Sequence, residues 1–181
     1  YKRQELRMVL APRHPERSAT IRKLLNNRAL RYSLRSELNP QLQNLQPIVL
    51  LDTIGELGAV YGLTTVAVVC GSFEPIGGHN PLEPLAQRVP VVFGPHVFNF
   101  PDISALVLEH KAGFQVEGID GLVDVLTGLL TQADKLSVMQ ENGQLLLDAN
   151  RGVTQRLLAA IQGTLGMRDA DSSRALDGQT V

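Results

Sequence analysis

The sequence predicts an α/β domain, Rossmann-like, with a parallel sheet flanked by helices. Short apolar runs of strand length alternate with segments of helical period, and the runs are apolar at successive positions, as in strands covered on both faces. The residues with chemistry to offer also fall just after these runs, at the carboxyl ends of strands, where such sheets bind ligands.

The elements follow in order. Residues 6–11 read as a strand, and after Pro15 the spacing of Ile21, Leu24 and Leu25 predicts a helix. Residues 31–36 alternate weakly and predict a short strand. Residues 47–51 form another, followed by a short helix near 55–61. The run 65–69 predicts a buried strand. Beyond it Asn80 suits an N-cap, Pro81 the first helical position and Glu83 the acid of a capping box. A strand over 90–93, an Asn-led helix over 99–109 and a strand over 113–116 come next, then helix to about Leu165. Residues 167–181 are polar and without period, which predicts a disordered tail behind one domain over 1–166.

Composition narrows the class. A chain of 181 residues, 44% hydrophobic and 19% charged, is long enough for one domain with a core. No apolar stretch approaches the ~18–20 residues of a membrane helix, and no secretory signal pattern opens the chain. The net charge of −1 conceals an asymmetry, because residues 1–35 hold ten Lys or Arg against two acids. A basic end can draw an anionic ligand or lipid, or simply be a solvated helix face. Cys70 is the single cysteine, so an internal disulfide is excluded; at a strand end it reads as a buried, inert thiol.

The run from Gly71 to Pro84 is the most informative passage. A strand, a glycine turn at Gly77-Gly78 and a helix start together make a place for an anion, because unpaired N–H groups point outward there. Arg13, directly after the first strand, can bind a phosphate or pair with Glu16; Arg17 reads as a surface residue or a partner of Asp52. His14 either donates to the ligand or caps the helix begun by Pro15. Gly55 and Glu56 sit at a second helix start, Ser72 can bond a phosphate, and His79 adjoins the turn. His96 and Asn99 follow the fifth strand, Asn99 reading as an N-cap. Each set follows a strand, so all are expected along one rim. No metal-ligand spacing is present, and neither metal nor cofactor is expected.

The letters are more specific than the physics. Residues 71–84, with Arg13-His14-Pro15-Glu16-Arg17, Asp52-Thr53-Ile54-Gly55-Glu56-Leu57 and Gly94-Pro95-His96-Val97-Phe98-Asn99-Phe100, closely resemble the C-terminal half of the Kdo transferases, across residues 6–160. Cys70 departs from that pattern, which more often has glycine. The resemblance implies the donor-binding half of a GT-B glycosyltransferase that moves 3-deoxy-D-manno-octulosonic acid (Kdo) from CMP-Kdo to a lipid A precursor in lipopolysaccharide biosynthesis. It implies a donor-binding set of Arg13, His14, Gly55, Glu56, Ser72, Ile76, Gly77, Gly78, His79, Asn80 and Glu83, with Glu83 on the ribose hydroxyls. Acceptor site, general base and membrane anchor are implied to lie in an N-terminal half, so this piece alone should bind and not transfer. The whole protein would work at the cytoplasmic face of the inner membrane, without nucleic acid as a partner. Two other readings stand beside it: a GT-B donor domain for a UDP- or GDP-sugar, and a non-catalytic nucleotide-binding module. No Gly-x-Gly-x-x-Gly follows the first strand, which argues against a dinucleotide site.

Overall fold

The computed structural model describes residues 6–39 and 45–150, and the chain divides into two compact units between Ala67 and Val68. The first unit holds strands β1 (Met8–Leu10), β2 (Tyr32–Leu34) and β3 (Ile48–Leu50), with helices α1 (Ser18–Asn27) and α2 (Leu57–Tyr61). Its sheet has the order β1-β3-β2, all parallel, with Val9 and Ser33 both opposite Val49. The central strand carries the burial: Ile48, Leu50 and Leu51 are buried, whereas Met8 and Val9 of the edge strand are exposed. Leu25 of α1 and Leu34 of β2 complete this core.

The second unit holds β4 (Ala67–Val69), α3 (Leu82–Ala86), β5 (Val91–Phe93), α4 (Pro101–Glu109), β6 (Gly113–Gln115), α5 (Ile119–Thr131) and α6 (Ala133–Asn150). Its sheet has the order β4-β5-β6, and β5 runs parallel to β6 with Val92 opposite Phe114. All three residues of β5 are buried, as its unbroken apolar run requires of a central strand. Leu85 of α3 and Leu146 of α6 are almost fully buried. A Cβ on Gly143 of α6 would stand 3.1 Å from Leu85, so a glycine lets the two helices approach closely there.

Three helices end in the same way. After α1, α3 and α4 the chain turns through a left-handed residue, Ala29 (φ 52), Arg88 (φ 60) and Lys111 (φ 54). Each shows the paired bonds of a Schellman motif: Leu30 N–H to the Leu25 carbonyl and Ala29 to Asn26; Val89 to Pro84 and Arg88 to Leu85; Ala112 to Val107 and Lys111 to Leu108. None of the three left-handed residues is a glycine.

Several expectations need correction. The described strands form two three-stranded sheets, one in each unit, a grouping that strand patterning does not reveal because it identifies strands but not their partners. The helix expected from Asn99 begins at Pro101, and the helical stretch after β6 is broken at Gln132, whose backbone is extended (φ −120, ψ 84). Cys70 is exposed, not buried, although partial desolvation of its sulfur raises the thiol pKa and keeps it protonated at neutral pH. The helix to Leu165, the domain limit at 166 and the tail lie outside the described residues.

Candidate functional site

In the second unit, the segment from Gly71 to Asn80 leaves β4 and folds back against the residues that follow β5. Gly71 (φ 76), Gly77 (φ 103) and Gly78 (φ 77) all take left-handed backbone, which other residues adopt only at a cost. The Gly78 N–H bonds the Gly71 carbonyl at 2.8 Å, closing the loop on itself. His96 N–H donates to the Ser72 carbonyl at 2.9 Å, and Asn99 N–H to the Gly77 carbonyl at 3.1 Å. The Asn99 side-chain amide donates to the carbonyls of Ile76 (3.2 Å) and Gly78 (3.3 Å). A side chain at Gly77 would collide with the Asn99 amide and the Phe98 ring.

The helix start beyond the turn is built differently from the capping box in the sequence. Helix α3 begins at Leu82 with Pro81 as its N-cap residue. Asn80, one residue earlier, accepts the Leu82 N–H on its side-chain oxygen at 3.0 Å, so it caps without being the formal N-cap. The exposed Glu83 carboxylate makes no hydrogen bond among the described residues, nor do the N–H groups of Asn80 and Glu83. Helix α3 has five residues and so a small dipole; any attraction for an anion here rests chiefly on these amides.

Ser72 differs from its expected role. It is fully buried, its hydroxyl donating to the Val69 carbonyl at 2.6 Å and accepting the Gly94 N–H at 2.8 Å. That hydroxyl ties the end of β4 to the end of β5 and is withdrawn from any ligand. The His79 ring packs against Gly71, 3.3 Å from where a Cβ would stand. Ile76 and Phe98 are each 60% exposed, an apolar pair flanking the glycine turn. A small cavity of about 10 Å³, the room of one water, lies behind the turn between Gly77, Gly78, His79 and Phe93.

In the first unit the strand ends carry a second polar cluster. Glu56 is held on both oxygens: Arg35 Nη2 donates to one at 2.6 Å and the Thr53 hydroxyl to the other. The Thr53 bond, then the Arg35 bond and charge, hold its pKa below the usual carboxylate range against opposing desolvation. Asp52 accepts the Ser36 N–H at 2.9 Å and the Ser36 hydroxyl at 2.6 Å. Desolvation pushes Asp52 upward, but the Ser36 bonds outweigh it and the net shift is down. Gly55 (φ 87) makes the exposed turn between β3 and α2.

Arg13 is exposed just beyond β1, and His14 beside it has its Nδ1 3.4 Å from Glu16 with no capping bond from its side chain. Two pairings in the sequence reading change accordingly. Glu16 meets His14, and Asp52 is held by Ser36 rather than by Arg17. Sequence reasoning passed over Arg35, and it placed Asn99 on the rim as an N-cap, whereas Asn99 instead braces the glycine turn. Their partners lie 21 to 23 residues away, beyond any local pattern.

No family model matches the chain. Among curated proteins it is 38% identical over 154 residues to the 3-deoxy-D-manno-octulosonic acid transferase of Haemophilus influenzae, covering 84% of this chain and 36% of that protein. It is 32% identical over 159 residues to the transferase of the same name from Bordetella pertussis, covering 88% and 37%. The crystal structure of the C-terminal CMP-Kdo binding domain of WaaA from Acinetobacter baumannii superposes with a TM-score of 0.72 at 26% identity, covering 80% of this chain and 90% of that one. The fold thus defines a class, the α/β C-terminal domain of GT-B proteins. Within it, the chain is similar to the 3-deoxy-D-manno-octulosonic acid transferases, and it spans a little over a third of the length of these two curated relatives.

Proposed function

We propose that the chain is the donor-binding part of a Kdo transferase, holding CMP-Kdo while Kdo passes to a hydroxyl of a lipid A precursor and CMP leaves. The observation that carries this reading is the fold likeness to a CMP-Kdo binding domain over 90% of that domain's length. In the second unit the N–H groups of Asn80 and Glu83, beside the Gly77-Gly78 turn, offer donors to an anion; Arg13 of the first unit, an exposed guanidinium, is proposed separately as a phosphate partner. When the Kdo–oxygen bond breaks, negative charge grows on the departing phosphate, and positioned donors of this kind stabilise it. Glu83, exposed and unbonded among the described residues, is assigned the ribose hydroxyls.

The other members of the proposed set are His14, Gly55, Ile76, Gly77, Gly78 and His79, with Glu56 bound in its own network. Acceptor binding and the general base are assigned to the part of the family's length that this chain does not span, as is membrane attachment at the cytoplasmic face. No helix among the described residues is long and apolar enough to cross a membrane.

Side-by-side titration of CMP, UMP and UDP into the chain tests the proposal. CMP should bind tightest, and Arg13→Ala should weaken it by about 1.5–3 kcal/mol, the worth of a charge-assisted contact. Preference for UDP would instead mark a donor domain for a nucleoside-diphosphate sugar.

A further inference from the structure

Asn99 stands out among the residues around the glycine turn because it is exposed yet makes three bonds to one short stretch of backbone. Its N–H reaches the Gly77 carbonyl, and its side-chain amide bridges the carbonyls of Ile76 and Gly78. The stretch it grips has consecutive left-handed glycines, whose backbone loses more conformational freedom on ordering than any other pair would. The Asn99 amide also fills the space a side chain at Gly77 would need, so Gly77 and Asn99 fit as a pair.

The geometry points to Asn99 as a positioning residue for anion binding: its side-chain amide fixes the Gly77-Gly78 turn in the shape that presents the neighbouring N–H groups to a phosphate. This rests on the donor-binding reading above and adds to it a residue with no part in holding the ligand itself. Its chemistry needs a donor. An aspartate of the same shape would set a carboxylate against two carbonyl oxygens, repelling the turn it should hold. A protonated aspartic acid regains one O–H donor and part of the grip.

The test is calorimetric titration of CMP into the whole chain for the wild type, Asn99→Asp and Asn99→Ser, each below its own melting temperature. Asn99→Asp should bind CMP weaker by on the order of tenfold near neutral pH, and the ratio to wild type should narrow as pH falls and the carboxyl protonates. Asn99→Ser keeps a donor on a shorter side chain and should lie between the two, a measurable outcome even if the aspartate variant does not fold. Because the new carboxyl also makes stability depend on pH, affinities are compared only at pH values where thermal melts show both proteins folded, so a ratio that still narrows in acid reports the turn and not unfolding. Equal CMP affinity in wild type and the folded variants would overturn the role of Asn99 while leaving donor binding intact. Failure of the wild type to bind CMP would instead remove the donor reading, and this inference with it.

Discussion

Ser72 and Asp52 show how much of this chain's polar chemistry serves the scaffold. Truncating Ser72 would leave the Gly94 N–H and the Val69 carbonyl facing a buried gap. Ser72→Ala should therefore lower stability by about 1–3 kcal/mol, read from denaturant melts. Asp52 gives a pH signature. Its folded pKa is depressed, so the stability drawn from Ser36 is present above its unfolded pKa and lost as pH falls through the folded one. The melting-temperature gap between wild type and Ser36→Ala should be open at pH 7 and close in acid; a gap independent of pH would contradict that pairing. At this scale the sequence was legible where partners are neighbours. Asn80 caps the amide two residues ahead, much as its letter suggested. Ser72, Arg35 and Asn99 find partners 21 to 23 residues distant, which no local spacing reveals.

At the scale of elements, strands and helices were legible because periodicity and breakers are local. Every described strand lies inside a stretch that predicted it, and each is shorter than that stretch. Helix ends were less so. Glycine is the usual signal of a left-handed terminus, and here Ala29, Arg88 and Lys111 stand in its place. What the sequence does hold is an apolar residue next in line, Leu30, Val89 and Ala112, of which the latter two are buried. The Schellman bonds pull the chain into a conformation that an L side chain adopts at a cost of roughly 1–2 kcal/mol, partly offset because glycine frees the unfolded chain. Lys111→Gly should therefore stabilise the protein by about 0.5–1 kcal/mol. Thermal melts check it, and a lower melting temperature would show that the Lys111 side chain contributes more than its backbone costs.

On the scale of the molecule, alternation of strand and helix was enough for the α/β class, and strand pairing was not. Pairing is a non-local choice: β3 takes its place between β1 and β2, though β2 precedes it in the chain. The motif letters pointed to a resemblance that local physics alone could not reach, and the fold likeness to a CMP-Kdo binding domain agrees with it. The measurement that goes most directly to donor binding is a crystal of this chain soaked with CMP. The account predicts phosphate density against the N–H groups of Asn80 and Glu83, beside Gly77 and Gly78, with the ribose within reach of the Glu83 carboxylate. Nucleotide density away from that turn, or none at saturating CMP, would contradict it.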